Sequence, residues 1–229
     1  MTTLSGTSAV VEAVAIDGPA SSGKSTLARE VAKRLGFVFV DTGSLYRAVA
    51  LALDRAGAGE AASDDPALLA ALSALCVSLV PTPSGVRVSL NAEDVTPLLR
   101  EERIGKIASR VSAFPAVRKA LFDLQRTLAL AGRIVMDGRD IGSVILPEAR
   151  LKIFLEADPE VRARRRLADL ERSGLPPSYE TVLADILDRD SRDRTRSIAP
   201  LVQAPGALLL DTSRMTVAEA VDWIVARYR

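Results

Sequence analysis

The sequence predicts an α/β fold in which a parallel sheet of five strands is flanked by helices. Short apolar runs alternate with stretches of helical periodicity, and this alternation is typical of parallel sheets wrapped by helices. A glycine-rich turn follows the first apolar run and precedes the first helical stretch. Two segments interrupt the alternation, namely a β-containing unit in the middle of the chain and a pair of charged helices nearer its end.

Five apolar runs of strand length predict the parallel sheet. They cover residues 11–16, 37–40, 134–136, 151–155 and 207–210. The first run ends at a glycine turn, and acidic residues follow the next three. Because the carboxyl ends of parallel strands form the ligand crevice of such a sheet, we expect the functional site at this edge.

Helical periodicity and end signals predict eight helices. They cover residues 25–35, 45–56, 64–75, 103–112, 116–131, 158–172, 180–194 and 216–228. Gly36 closes the first helix as a C-terminal cap, and Thr216 caps the start of the last. Asp158, Pro159 and Glu160 are an N-cap, a proline in the first turn and an acid, and they predict the start of the sixth helix. A turn at 174–178 separates the two charged helices.

The middle of the chain predicts an inserted β-containing unit. Strands at 77–80 and 86–90 are joined through Pro81, Pro83 and Gly85, and the unit ends near Leu99. We therefore divide the 229-residue unit into a core, an insert and a lid. The core covers about 12–60, 100–157 and 197–229, the insert about 61–99, and the lid about 158–196.

The composition excludes several classes of function. Thirty Lys and Arg balance 29 Asp and Glu, and this net charge of +1 argues against a dominant nucleic-acid or membrane-surface field. No stretch approaches the roughly 20 apolar residues of a membrane span. The chain has no histidine, which excludes histidine acid–base chemistry and histidine metal sites. Codon bias can explain the excess of arginine over lysine, but it does not explain why arginines cluster at 162–172 and 189–196.

The cysteine count and the N-terminus indicate the compartment. Cys76 is the single cysteine, so no internal disulfide can form, and its apolar surroundings predict a core residue. This usage fits a reducing compartment. Residues 1–12 are small and polar and lack the basic-then-apolar order of a signal peptide. We expect a cytoplasmic protein.

The glycine-rich turn matches the phosphate-loop pattern G-x-x-x-x-G-K-[ST] at every fixed position. Its candidate phosphate-binding residues are Gly18, Pro19, Ala20, Ser21, Ser22, Gly23, Lys24, Ser25 and Thr26. Backbone N–H groups of such a loop point at phosphate oxygens, and the following helix adds its positive end. Lys24 is expected to reach the β- and γ-phosphates, and the Ser25 hydroxyl to ligate Mg²⁺. The alternative is a glycine turn that matches by accident, but the strand before and the helix after favour phosphate binding.

The phosphate loop indicates the P-loop NTPase type of fold, which serves many functions. A GTPase normally carries N-K-x-D, whereas Ala92 follows the single asparagine, Asn91. A helicase or motor is usually longer. A kinase of a small molecule remains the leading class.

Two motifs at strand ends predict an acceptor site. Arg47 lies about one helical turn after the glycine of the Asp41-Thr-Gly motif. Asp137 and Arg139 follow the third core strand. Asp137 is expected to hold Mg²⁺ through water, and the guanidinium of Arg139 matches a phosphate bidentately. The alternative for each motif is an ordinary surface turn.

The two charged helices each present arginines on one face. The residues whose spacing places them on one face are Arg162, Arg165 and Arg166 for the first helix, and Arg189, Asp193 and Arg196 for the second. Such faces suggest a lid that surrounds transferred phosphates with positive charge and excludes water. The alternative is a solvated surface of salt bridges, since many of these charges have opposite partners four residues away. Nucleic-acid binding is a weaker reading because aromatic residues are scarce.

These motifs together resemble a known family, the bacterial-type cytidylate kinases, which are nucleoside monophosphate kinases of the P-loop class. The resemblance runs from about Val14 to the end of the chain, and residues 1 to about 11 outside it are expected to be a flexible tail. Its distinctive segments are 17–25, 41–47, 114–118, 137–142, and 189–196 with 199–201. The family carries a β-containing monophosphate-binding insert, which resembles the predicted unit.

The resemblance implies which residues read the acceptor base. Ser109, Arg118 and Asp140 would recognise cytosine. An acid accepts from the amino group of cytosine, whereas uracil offers no such donor and should be accepted less well.

The resemblance also implies the residues that hold the rest of the two nucleotides. The further acceptor-binding residues are Thr42, Arg47, Arg139, Arg189 and Asp193. The residues expected to act on the transferred phosphate are Lys24, Arg139, Arg189 and Arg196. Arg162, Arg165 and Arg166 would belong to the lid and bind ATP phosphates.

The implied reaction moves the γ-phosphoryl group of ATP to CMP or dCMP, with Mg²⁺ as cofactor. The expected partners are these small molecules, without nucleic acid or membrane, and we expect a monomer. Two rivals remain: a kinase of another small acceptor, such as shikimate or a different nucleotide, and a non-catalytic nucleotide-dependent interaction protein.

Overall fold

The computed structural model describes residues 10–82, 85–171 and 177–229. Its strands are β1 Val11–Asp17, β2 Val38–Asp41, β3 Val77–Thr82, β4 Gly85–Leu90, β5 Glu93–Asp94, β6 Ile134–Gly138, β7 Ala149–Glu156 and β8 Leu208–Asp211. Its helices are α1 Lys24–Leu35, α2 Thr42–Arg55, α3 Pro66–Ser73, α4 Glu102–Val111, α5 Pro115–Leu130, α6 Pro159–Glu171, α7 Tyr179–Thr195 and α8 Val217–Tyr228. Among these ranges there is no helix of the length and apolarity that a membrane crossing requires.

The central sheet has five strands in the order β2-β6-β1-β7-β8. All of its neighbouring strands run parallel, so the predicted parallel five-stranded sheet is confirmed. Its carboxyl edge gathers Asp17, Asp41 and the end of β6, because Asp17 lies opposite Gly138 and Asp41 opposite Asp137. The strand-end motifs therefore meet at one edge, as the sequence predicts.

The alternation of side chains along β1 divides the core between two faces of the sheet. Val14 and Ile16 pack in a cluster with residues of α1 and α8. Ala13 and Ala15 pack in a second cluster with Ala129 of α5 and the turn after β6. The capped ends are formed as predicted, since Gly36 adopts φ 68° after α1 and Thr216 forms a capping box with α8.

The segment from α3 to β5 forms a separate small sheet of antiparallel strands in the order β3-β4-β5. It packs on α2 and α4 through apolar residues that include Leu68 and Val88. Three elements are not foreseen from the sequence, namely the short strand β5, a 3₁₀ turn at Leu98–Arg100 and a π-helical turn at Ile141–Ile145.

Cys76 corrects one prediction, because it is exposed rather than in the core. Side chains alternate along the strand it precedes, and its neighbours Leu75 and Val77 are the ones that pack on the core. The expected flexible tail falls largely on residues 1–9, and most of the predicted turn at 174–178 falls on 172–176. Both segments lie outside the described residues, whereas Val11 already belongs to β1.

Candidate active site

The phosphate loop joins the end of β1 to the start of α1. Ser21 and Gly23 adopt left-handed backbone conformations, with φ of 57° and 87°, and these two residues curl the loop. Lys24 begins α1, and its Nζ donates a 2.9 Å hydrogen bond back to the carbonyl of Pro19. The ammonium group is therefore held over the concave side of the loop, where a phosphate would lie.

Lys24 and Asp137 lie in a buried and strongly charged environment. Burial, followed by the positive charge of Arg139, lowers the pKa of Lys24. Burial, followed by the negative charge of Asp41, raises the pKa of Asp137. Burial is the largest cause of both shifts, and a bound anion beside Lys24 would favour the charged form of this lysine.

Ser25 and Asp137 provide oxygen atoms of the kind that hard divalent cations prefer. The Ser25 hydroxyl donates a 2.6 Å hydrogen bond to Oδ2 of Asp137. The other carboxylate oxygen, Oδ1, is buried and has no hydrogen-bond partner in the described part of the chain. A buried carboxylate oxygen without a partner fits a cation ligand, either directly or through water.

Arg118, Asp140 and Arg196 form a buried cluster at the acceptor side. Arg118 donates to Oδ2 of Asp140, and Nη2 of Arg196 lies 3.6 Å from Oδ1 of the same carboxylate. Burial raises the pKa of Asp140, and the charges of Arg118 and Arg196 partly offset that effect. The sequence places these residues 22 and 56 positions from Asp140, and the fold brings all three predicted residues together.

Arg139, Asp193 and Arg189 form a second group beside this cluster. Nε of Arg139 donates a 2.8 Å hydrogen bond to Asp193. Burial raises the pKa of Asp193, but the charge and hydrogen bond of Arg139 outweigh it and leave that pKa below its usual value. Burial and the positive charge of Arg139 lower the pKa of Arg189 to about 10. Nε of Arg189 is buried without a partner among the described residues, as expected of a group that awaits an anion.

The other predicted acceptor residues lie around these groups. The Thr42 hydroxyl donates to the carbonyl of Asp137 over 2.7 Å, so Thr42 supports the end of β6. Arg47 donates to the carbonyl of Leu99, and its pKa is lowered by burial. Ser109 accepts a 3.3 Å hydrogen bond from Arg192 of α7, which brings this second charged helix to the acceptor side.

The three predicted lid arginines of α6 differ in their surroundings. Arg162 is 2% exposed, and its guanidinium donates to Asp190 and to the carbonyls of Ala157 and Ala20. Its donors are therefore directed at protein partners, and a contact of Arg162 with ATP phosphates stays a prediction.

Arg165 and Arg166 lie closer to solvent. Arg165 donates to the carbonyls of Ser22 and Thr212 and lies beside Gly23 of the phosphate loop. Burial lowers the pKa of Arg47, and the positive charge of Arg166 adds to this effect. Their contacts with ATP stay predictions.

Two residues of this region are missed as functional residues by the sequence reasoning. Asp190 pairs with Arg162 from 28 positions away, and nothing local in the sequence marks that pair. Asp17 is part of a recognised motif, yet no role follows from its spacing. Its carboxylate accepts from two backbone N–H groups of the turn after β6, and burial raises its pKa to about 6. The sequence signal that could have drawn attention to Asp17 is its position directly before the phosphate loop.

The family model and the most similar curated relatives agree on one family. The family model described as cytidylate kinase matches residues 14–229. A cytidylate kinase of Pelotomaculum thermopropionicum is 46% identical over 215 residues, which are 93% of this chain and 94% of that protein. One of Mycolicibacterium paratuberculosis is 47% identical over 210 residues, or 91% of each chain. One of Carboxydothermus hydrogenoformans is 44% identical over 209 residues, which are 91% of this chain and 93% of that protein.

Proposed function

The chain belongs to the cytidylate kinase family, and on this premise we propose that it transfers the γ-phosphoryl group of ATP to CMP or dCMP. The products are ADP and CDP or dCDP. The phosphate loop holds the donor, and the residues at the end of β6 and on α7 hold the acceptor.

The observation that carries the proposal is that Lys24 and Arg139 lie at the same edge of the sheet, since Ser25 beside Lys24 donates a 2.6 Å hydrogen bond to Asp137, two residues before Arg139. After burial, the charge of Arg139 is the largest cause of the lowered pKa of Lys24. One cation belongs to the donor loop and the other to the acceptor group, so two phosphate-binding groups face the same buried space. A γ-phosphoryl group in transfer from the donor to the acceptor phosphate would bring negative charge close to both cations.

The acceptor base is read by the buried cluster. The carboxylate of Asp140 accepts from the amino group of cytosine, and Arg118 donates to the ring nitrogen or carbonyl. In the structure these two side chains pair with each other. A bound base would replace that hydrogen bond with hydrogen bonds of its own to both side chains. Ser109 completes the base contacts, and Thr42 and Arg47 hold the remainder of the nucleotide.

Transfer itself needs positioning and charge stabilisation rather than a covalent enzyme intermediate. The cations around the transferred group are Lys24, Arg139, Arg189 and Arg196. They face oxygens whose charge spreads in the transition state, and burial strengthens the attraction. Asp193 keeps Arg139 in place, and closure of α6 and α7 over the phosphates would exclude water that otherwise hydrolyses ATP.

Mg²⁺ is the cofactor that these residues fit. Ser25 would hold it directly and Asp137 through water, because Oδ1 of Asp137 is buried without a partner among the described residues. When bound, Mg²⁺ would supply positive charge that offsets the charge developing on the phosphate oxygens.

The experiment that tests the proposal measures ADP release from ATP and Mg²⁺ with CMP, dCMP, UMP, AMP, GMP and shikimate in turn. We expect release that depends on CMP or dCMP, is weak with UMP and is near background otherwise. Release with another acceptor would retain a kinase but reject the base-reading roles. Absence of acceptor-dependent release would favour a nucleotide-dependent interaction protein.

We also propose that the protein works as a monomer in the cytoplasm, where ATP and nucleoside monophosphates are available. Size-exclusion chromatography with light scattering tests the first statement, since a monomer has the chain mass of 24.4 kDa. Cell fractionation tests the second.

A further inference from the structure

The carboxylate of Asp17 connects the strand before the phosphate loop to the turn after β6. Asp17 is the last residue of β1, directly before Gly18 of the phosphate loop, and it is 3% exposed. Oδ1 accepts a 2.7 Å hydrogen bond from the N–H of Ile141, and Oδ2 accepts a 2.8 Å bond from the N–H of Gly142. None of the proposed steps of binding or transfer uses this group.

The two N–H groups belong to the first residues of the π-helical turn Ile141–Ile145. The first N–H groups of any helical turn have no partner inside the turn, and leaving them buried and unpaired is costly. Asp17 satisfies two of them from the neighbouring strand. The chain between β6 and this turn consists of Arg139 and Asp140, so this pair is held by β6 at one end and by Asp17 at the other.

The packing around this short segment leaves little room for adjustment. A Cβ placed on Gly138 would lie 2.7 Å from Ile141 and 2.8 Å from the Thr42 hydroxyl. A shift of the π-helical turn therefore carries Asp140 with it, because no flexible residue separates them. Asp140 has to meet both Arg118 and the acceptor base, and such hydrogen bonds weaken over a few tenths of an ångström.

We propose that Asp17 is a positioning residue for acceptor recognition. It holds Asp140 and Arg139 in place by accepting hydrogen bonds from the backbone N–H groups of Ile141 and Gly142. We call this pair of hydrogen bonds the Asp17 clamp. The proposal rests on the proposed function, since it assigns Asp17 to the base-reading half of that site. The aspartate before the phosphate loop thus acts on the acceptor and not on ATP.

The test replaces Asp17 by asparagine, which has the same shape. A carboxamide has one acceptor oxygen, so its NH₂ group would face one of the two N–H donors. At pH 7.5 we expect kcat/KM for CMP to fall at least tenfold, the CMP-to-UMP preference to fall severalfold, and KM for ATP to stay within twofold. The matched control is Glu12→Gln on the same strand, because Glu12 binds Arg150 and Tyr228 away from the site. It should change none of these values.

Two kinetic results would overturn the proposal. Equal losses with CMP and UMP would mean that Asp17→Asn harms the enzyme without affecting base reading. A rise in KM for ATP as large as the rise for CMP would mean that the residue acts on the phosphate loop.

A second measurement does not depend on the variant or on the acceptor. Amide hydrogen exchange of the wild-type protein, followed by NMR, should show Ile141 and Gly142 protected to the level of the core strands. Exchange as fast as in exposed loops would contradict the clamp even if Asp17→Asn does not fold. If the wild type shows this protection but forms no ADP with CMP, the proposed function fails while the clamp itself stands.

Discussion

The guanidinium of Arg162 donates two hydrogen bonds to the carboxylate of Asp190, Nη1–Oδ1 of 3.1 Å and Nη2–Oδ2 of 2.5 Å. The pair joins α6 to α7, and the remaining donors of Arg162 reach the carbonyls of Ala157 and Ala20. Arg162 thus connects α6 and α7 to each other and to the phosphate loop. The binding of ATP phosphates by this arginine stays a prediction, whereas its role in joining these elements is observed.

Arg162→Ala should destabilise the protein by about 3–5 kcal/mol, because it leaves Asp190 buried without its partner. Urea unfolding measures this change. Arg34→Ala is the control, since Arg34 pairs with Asp222 at the surface and should contribute less than about 1 kcal/mol. Equal free energies of unfolding for the two variants would show that the buried pair stabilises the protein no more than the surface pair does.

Lys24→Ala should reduce transfer at least ~100-fold, which is the usual effect of removing one group that stabilises transition-state charge. The fold should persist, because the hydrogen bond of the ammonium group among the described residues is made to the neighbouring carbonyl of Pro19 and joins no distant element. Coupled-assay kinetics and circular dichroism check the two statements. Near-normal turnover would reject the assignment of the donor site.

Asp140→Ala should lower the CMP-to-UMP preference by about tenfold or more, since the acceptor of the cytosine amino group is removed. The variant should also be less stable, because Arg118 loses its buried partner. KM for ATP should change little. Kinetics with both acceptors decide the matter, and an unchanged preference would remove Asp140 from base reading.

Asp137→Asn should raise the concentration of Mg²⁺ needed for half-maximal activity by about tenfold, because one carboxylate near the cation is lost. Chelation of Mg²⁺ by EDTA should abolish turnover of the wild type, and added Mg²⁺ should restore it. Binding of ATP without metal should be similar in the variant and the wild type. An unchanged Mg²⁺ requirement would place the cation elsewhere.

Gly18→Ala should destabilise the protein by about 1–3 kcal/mol and weaken ATP binding. A Cβ at this position would lie 2.5 Å from the carbonyl oxygen of Leu155, so the loop or β7 must move. Gly57→Ala is a matched comparison with φ of 70° and open space, and its cost of about 1–2 kcal/mol should leave ATP affinity unchanged. Equal ATP affinity in both variants would show that the loop tolerates the shift.

Local sequence patterns were sufficient to predict the five core strands, the eight helices and the phosphate loop. The apolar runs predicted all five core strands, because a buried strand needs continuous apolar side chains. The predicted helix starts and ends lie within two residues of those observed, since caps and prolines act locally, except that α2 begins at Thr42 and not at residue 45. The π-helical turn after Asp140 was not predicted, because its N–H groups are satisfied by a residue 124 positions away.

The sequence by itself therefore determined the sheet, the strand–loop–helix unit that we propose binds phosphate, and the set of charged residues from which the candidate site is built. Only the tertiary structure decided how those charges are used. Arg162 and Arg165 lie three positions apart on one helix, yet one is buried against Asp190 and the other lies beside Gly23. The physical reason is that burial and the partner of a charged group depend on distant segments, whereas propensity and capping depend on near neighbours.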